Sequence, residues 1–545
     1  MLTGTLLNVA RIKGIHFTDK KAAVFVLTFG LLALFFPILL IEVKTLRYTG
    51  GVFMYPLDDT FIHLEMAKHV SDNGNWGINN NEFGSASSSL LYTIILALGR
   101  LFSHHTIVPF IVNCIAGIFT IQALHLWFKK HQVHPYVQVI IIIAAIVITP
   151  LPTMIISGME HTIQCLVSFL FIFHFSDWLE QAARNKKQGL PWQIFVFALL
   201  VTSIRYEGLI LIAIAGVLLL YYKKWRDGFL LGGIAILPII AFGIYSLTKG
   251  GYLFPNSVLV KSGSGTTTFP GFISNVLVEN LLNVKSFIAA LATQRWTLIL
   301  PLTYLLFRKY MRPSHSFVLI FLMICIIIQL GLDAVGWLYR YEAYLFFCST
   351  VITAFLFFKY GKQVFVNSSR DSRIVLTLLL FFLFFPILLR SATAINKVGQ
   401  ACRNIYDQQY QMAQFSKRYY DTGTIAANDI GAVSYYSNAT ITDLWGLAST
   451  EVTRNIKNKN WTPKFLDSLC KVKRVEVAMI YDSWFSDSLT NRWKKLATWQ
   501  IQNNVICGDD IVSFYSVDTT NSALLVQHLR DFQPSLPTSI QVKYY

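Results

Sequence analysis

Residues 22–41 run the length of a membrane helix without one charged side chain. A bilayer's hydrocarbon core is crossed by about 20 such residues, and no water-facing segment tolerates them. Ten more apolar runs follow, at 107–128, 136–153, 161–178, 191–204, 208–222, 229–247, 288–307, 316–332, 341–359 and 373–389. The run 89–103 is apolar but brief and carries Arg100, so it reads as a helix lying at the interface. Over the 545 residues 54% are apolar and 14% charged. That is about half the charge of a soluble domain. Disordered, fibrous and disulfide-framework classes fail on the same composition. The fold class is a polytopic α-helical membrane protein of about eleven transmembrane helices.

The net charge of +17 would point to nucleic acid in a soluble chain. Here it reports topology. With the N-terminus in the cytoplasm, each cluster of lysine and arginine falls inside: Lys20 and Lys21, Lys129 and Lys130, Lys186 and Lys187, Lys223 and Lys224, Arg308 and Lys309, and Arg370 and Arg373. This is the positive-inside pattern, and no nucleic-acid partner follows from the charge. Counting 89–103 as a span would invert the pattern from Lys129 onward. The expected location is the cytoplasmic (inner) membrane, multi-pass. Residues 22–41 are followed by no small-residue cleavage site, so they read as a retained anchor.

Two domains are expected. Residues 1–389 form the membrane module, with a first outer loop at 42–88; residues 390–545 form an extracytoplasmic α/β domain. Val475–Tyr481 and Asp510–Val517 read as strands, and Phe465–Lys471 and Asn491–Leu496 as short helices. Among Cys402, Cys470 and Cys507 there is room for one disulfide.

In this topology the unusual polar residues gather on the outer side. The first outer loop carries Asp58, Asp59, His63 and Glu65; further along come Glu160, then Arg205 and Glu207, then Asn256 and Lys261, then Arg340, Tyr341 and Glu342. Charges near membrane depth are costly and tend to mark function. Each has a plainer use. Asp58 or Asp59 can cap a helix starting at Thr60. Arg205 with Glu207, and Arg340 with Glu342, can be ion pairs. Lys261 can snorkel to the interface. Convergence of five separate segments on one face is what these plainer uses do not explain. The chain has no Walker A sequence and no zinc spacing. An enzyme working outside the membrane without nucleotide needs a donor presented by the membrane, such as a polyprenyl-phosphate sugar.

The stretch Pro56-Leu57-Asp58-Asp59-Thr60-Phe61-Ile62-His63-Leu64 resembles the first-loop motif of GT-C membrane glycosyltransferases, in the branch of the mycobacterial terminal arabinofuranosyltransferases. The resemblance continues through Ser157-Gly158-Met159-Glu160, Arg205-Tyr206-Glu207-Gly208, Pro255-Asn256-Ser257 with Lys261, and Arg340-Tyr341. In the C-terminal region it takes in Asn428-Asp429-Ile430-Gly431-Ala432 and Asp443-Leu444-Trp445-Gly446-Leu447. The chain departs from that branch at Leu90, Tyr92 and Tyr206, where proline, tryptophan and proline are frequent.

The resemblance implies inverting transfer of a monosaccharide from a polyprenyl-phosphate donor to a glycan, lipid or protein acceptor outside the cytoplasm. Asp58 and Asp59 are then the catalytic carboxylates, one as general base, with Asp59 favoured. Arg205, Lys261 and Arg340 are the cations for the donor phosphate. His63, Glu160, Glu207, Asn256 and Tyr341 are left for the sugar and the acceptor. A divalent metal (Mg, Mn or Ca) at Asp58, Asp59 and Glu160 is a further use of these carboxylates. Tyr435, Tyr436 and Trp445 are candidates for stacking on sugar or for the domain core. A secondary transporter and a non-catalytic envelope-assembly protein are the alternatives. Against the transporter stand the lack of an inverted repeat and a polar cluster at one face instead of the midplane.

Overall fold

A computed structural model of the chain describes residues 18–184, 188–261, 295–332, 338, 340–366 and 369–545. Within them, every run read as a span is helical. Six helices are long and apolar enough to cross a bilayer: Asp19–Tyr48, Val108–Lys130, His161–Ala182, Trp225–Thr248, Pro313–Leu330 and Ala343–Val364. Asp19–Tyr48 turns Leu32, Phe36, Leu39 and Leu40 outward, each more than half exposed. Large apolar side chains facing outward all along such helices need hydrocarbon around them. The chain is a multi-pass membrane protein that associates with a lipid bilayer.

Among the described residues five apolar helices are shorter, including Pro135–Ile148, Trp192–Ile204 and Gly208–Tyr221. The expected span 136–153 is interrupted after Ile148 and resumes as Leu151–Ile156. Of 288–307, residues 288–294 lie outside the described residues, and the remainder is a 3₁₀ turn, Arg295–Leu298, running into the helix Ile299–Phe307. Leu90–Arg100 is an 11-residue helix. At 1.5 Å per residue it reaches about 16 Å, roughly half a bilayer core. Its Arg100 is held by Asp72 at 3.1 Å.

The last apolar run, 373–389, belongs to one 36-residue helix, Arg370–Ile405. The expected boundary at 389/390 therefore falls inside a continuous helix, with no linker. The chain then makes a π-helical turn, Tyr406–Tyr410, and the helix Gln411–Tyr419.

The C-terminal region holds six strands: β1 Thr424–Ala427, β2 Thr440–Asp443, β3 Val477–Ile480, β4 Lys494–Gln500, β5 Ile511–Ser516 and β6 Gln541–Tyr544. They form one mixed sheet in the order β2-β1-β3-β5-β4-β6. β2, β1 and β3 are parallel; β3-β5-β4-β6 is antiparallel. β3 is buried at every residue, as a strand covered on both faces must be. The strands read at 475–481 and 510–517 are present, and so is the helix around 465–471, as Pro463–Val472. Asn491–Leu496 is not a helix: it runs through a turn into β4. The alternation of Leu496, Thr498 and Gln500 with Ala497 and Trp499 suits a strand, and Trp499 packs on Phe514 of the neighbouring β5 with ring centroids 4.3 Å apart. All seven cysteines are free, so the disulfide allowed for among Cys402, Cys470 and Cys507 is not formed.

The first loop, residues 42–88 in the sequence reading, locks onto this sheet. Asn79 donates from Nδ2 to the Ile441 carbonyl at 3.0 Å and accepts from the Ile441 N–H at 2.9 Å. Its side-chain amide thus pairs with β2 as a neighbouring strand would. Asn75 braces that turn, donating from Nδ2 to the carbonyls of Asn79, Asn80 and Glu82.

Candidate functional site

Asp58 and Asp59 open the helix Asp58–Asn73. The residue before it is Leu57, and no side chain caps the helix. The capping use of Asp58 or Asp59 at Thr60 is therefore not what the fold contains. Both carboxylates sit in the first turn, where free N–H groups favour negative charge, and each reaches a different partner.

Asp58 faces the C-terminal domain. Its Oδ2 accepts from Gly431 N at 2.6 Å and its Oδ1 from Ala432 N at 2.8 Å. Those amides begin the short helix Gly431–Tyr436, so Asp58 caps a helix far away in sequence. A Cβ at Gly431 would collide with the Asp58 carbonyl, and only glycine permits the approach. Burial pushes the Asp58 carboxyl up, against the pull of the two amides.

Asp59 faces the other way. Its Oδ2 accepts from Arg340 Nη2 at 2.6 Å. Arg340 stands just before the helix Ala343–Val366 and is 2% exposed. The same Nη2 donates to the Tyr341 hydroxyl at 3.1 Å, while Arg340 Nε and Nη1 are buried without a hydrogen-bond partner. The expected pairing of Arg340 with Glu342 is replaced: Glu342 accepts from Arg390 at 2.6 Å, and Arg340 takes Asp59.

Glu160 reaches the same place by a turn. Gly158 has φ +66°, and a Cβ there would run into Tyr55 and Thr60. Thr60 donates from its hydroxyl to the Ser157 carbonyl at 2.7 Å, tying the turn to the helix of Asp58. Glu160 then sits with no exposed surface against Arg205, Oε1 to Nη1 at 2.6 Å. Arg205 lies in the link between Trp192–Ile204 and Gly208–Tyr221 and grips Glu207 through Nε and Nη2. This is the fork geometry a guanidinium offers a carboxylate. Burial opposes the charge of Glu160, yet Arg205, with His161 and His63, holds it down at about 2. His63 stands with Nε2 3.7 Å from Glu160 Oε2 and Nδ1 3.1 Å from the Ser87 hydroxyl.

Tyr341 joins the two halves. Its ring lies 5.0 Å from the Arg340 guanidinium carbon and 5.5 Å from that of Arg205, both within cation–π range. Four of the five expected segments, distant in sequence, thus meet: Asp59 and His63, Glu160, Arg205 with Glu207, and Arg340 with Tyr341.

Asn256 belongs to a different seam. Its N–H donates to the Ser85 hydroxyl at 2.9 Å and its Nδ2 reaches Ala448 O and Thr450 Oγ1. It fastens the loop and the C-terminal domain to the helix Asn256–Lys261. The Lys261 side chain lies outside the described residues. Of the three carboxylates considered for a metal, Asp58 accepts from backbone amides, Asp59 from Arg340 and Glu160 from Arg205. Among the described residues no group of three His, Cys, Asp or Glu gathers to hold a cation. Tyr435 and Tyr436 pack on Phe61, and Trp445 packs on Trp484 with ring centroids 4.6 Å apart.

Sequence reasoning overlooked Arg390, whose partner Glu342 had been given to Arg340, and the polar cluster around Asp429. The traces of that cluster in the sequence are Asn428-Asp429, within the stretch that carries the resemblance, and the pair Gln408-Gln409 just past the helix Arg370–Ile405.

Residues 403–515 match a family described as "Domain of unknown function (DUF8728)". The match begins inside the helix Arg370–Ile405 and takes in Asp429, Gly431 and Tyr481, but stops short of β6. No curated protein matches the chain.

Proposed function

We propose that the protein is an inverting glycosyltransferase that moves a monosaccharide from a polyprenyl-phosphate donor to an acceptor hydroxyl on a glycan, lipid or protein. The observation that carries this reading is the pairing of Asp59 with Arg340, a carboxylate and a buried guanidinium whose Nε and Nη1 are still free to donate. The acceptor oxygen forms a bond to the anomeric carbon as the bond from that carbon to the phosphate oxygen breaks. The acceptor proton passes to Asp59, and the polyprenyl phosphate leaves with the bonding electrons. The donor is a phosphodiester with one negative charge, and the departing monoester approaches two. A cation beside it binds the late transition state more tightly than the substrate, which accelerates the step. Arg340 has that role. Arg205, already committed to Glu160 and Glu207, orients those carboxylates toward sugar hydroxyls.

The same reading places eleven spans in the cytoplasmic membrane, with the N-terminus inside and both the site and the C-terminal domain outside. A reporter fused after Lys224 should read cytoplasmic and one at Thr422 extracytoplasmic; the opposite result at either site overturns the orientation. The activity itself is tested with purified full-length protein and a radiolabelled polyprenyl-phosphate sugar. Release of polyprenyl phosphate with label transferred to an envelope-glycan acceptor is expected, and an EDTA titration of that assay decides whether a divalent cation takes part. Solute uptake into proteoliposomes that hold no lipid-linked sugar would favour a transporter instead.

A further inference from the structure

The π-helical turn Tyr406–Tyr410 sets two consecutive glutamines on one hydroxyl. Gln409 Nε2 donates to Tyr481 Oη at 2.8 Å. Tyr481 Oη lies 2.7 Å from Gln408 Oε1 and 2.7 Å from Asp429 Oδ2. Gln409 Nε2 also donates to Asp429 Oδ2 at 2.9 Å.

Counting protons decides the charge of Asp429. The amide of Gln408 is oriented by its other end, where Nε2 donates to the Asp509 carbonyl at 3.1 Å. Its Oε1 can therefore only accept. A tyrosine hydroxyl has one proton to give, and Gln408 Oε1 takes it. The contact between Tyr481 and Asp429 is then two oxygens with no proton between them, unless Asp429 brings one. As a carboxylic acid, Asp429 donates to Tyr481 Oη, whose lone pairs accept from Asp429 and Gln409. Every donor then has an acceptor. As a carboxylate, Asp429 would oppose lone pair to lone pair at Tyr481 Oη.

We propose that Asp429 is a neutral carboxylic acid whose proton, given to Tyr481, seats the turn 428–432 on Asp58 and so fastens the C-terminal domain to the helix Asp58–Asn73. The turn is held on its other side by Asn428 Oδ1, which accepts from Tyr481 N at 2.9 Å. The seat is thus fixed by Tyr481 at both ends, and Gly431 and Ala432 present their amides to Asp58.

The groups facing this joint come from every element around it. Asp59 is on the same helix as Asp58; Tyr435 and Tyr436 are on the short helix; Asp407 is on the π turn, bonded to Ser539 and Arg403. Cys507 gives its thiol proton to Gln409 Oε1 at 3.4 Å. Burial pushes the Tyr481 hydroxyl and the Cys507 thiol well above their usual values, so both remain donors. None of these groups supplies the missing proton in place of Asp429.

The proposal stands apart from the sugar-transfer reading and is tested without activity. In an unfolded chain an aspartate ionises near pH 4. If the fold keeps Asp429 neutral, folding takes up a proton, and stability falls as pH rises above that value. Full-length protein in detergent is melted at intervals from about pH 5 to about pH 9. The native protein is expected to lose melting temperature across that range. Asp429→Asn, which puts an N–H where the acid has its O–H, should match the native protein at the low end and show a shallower slope, the remainder belonging to the raised carboxyl of Asp58. Asp58→Asn should melt lower throughout, because its amide either turns an N–H toward a backbone N–H or leaves one amide unanswered. The idea is overturned if Asp429→Asn melts as low as Asp58→Asn, if it fails to fold, or if it keeps the native slope. An infrared difference spectrum of native against Asp429→Asn should show the C=O stretch of a protonated carboxyl; a carboxylate band in its place also overturns it.

Discussion

Replacing Arg205 with methionine is expected to cost about 3–5 kcal/mol of stability, the penalty for leaving a buried charge without its partner. Glu160 has no exposed surface, and Arg205 is its nearest cation at 2.6 Å. Without Arg205 the carboxylate either stays charged in a dry site or takes a proton and loses the hydrogen bond. The double variant with Glu160→Gln should recover much of the loss, since a neutral pair leaves no charge behind. Glu207→Gln should cost far less, because Glu207 keeps a fifth of its side chain in solvent. The pH sign follows from the depressed value of Glu160. Its contribution is complete above the ordinary carboxylate range and is lost only as pH falls toward about 2. Chemical denaturation in detergent at neutral pH measures all three variants. Native stability in Arg205→Met would mean that this ion pair holds nothing together.

Asp59→Asn is expected to reduce transfer by about 10²–10⁴-fold, the usual worth of a positioned general base, while the protein remains folded. Asparagine keeps the shape and can still accept one hydrogen bond from Arg340, but it cannot take the acceptor proton. The effect should appear in kcat, since the missing step is a proton transfer in the transition state. Arg340→Lys should recover only part of the native rate, because an ammonium cannot reach Asp59, Tyr341 and a phosphate with one rigid fork. Single-turnover measurements with a lipid-linked donor separate these outcomes from donor affinity. Undiminished transfer by Asp59→Asn, at equal protein abundance, would remove Asp59 from the chemistry.

The apolar runs were legible because helix length against bilayer thickness leaves few solutions. The sheet was legible in part. Buried strands such as Val477–Ile480 announce themselves as short apolar runs, whereas β4 begins with Lys494 and Lys495 and is recognised only once β5 and β6 lie on either side. The site residues were readable as a set but not as pairs. Asp59 and Arg340 are 281 residues apart, and no local rule prefers Arg340 over Arg390 for either Asp59 or Glu342. Packing of the helices makes that choice. The adjacency of Asp58 and Asp59 gave no hint that one would hold a distant helix and the other a guanidinium. Successive residues in the first turn of a helix point about 100° apart, and different neighbours wait in each direction.

The side-chain amide of Asn79 lies along β2 where another strand would otherwise fit. An open strand edge is a template for other chains, and β2 is an edge whose outer neighbour is one residue of the first loop. Cut free of the membrane module, the C-terminal sheet would present that edge bare, ready to pair with another copy of itself. The cover on that edge is therefore a property of the whole chain, supplied at Ile441 by an asparagine that belongs to the other part of the molecule.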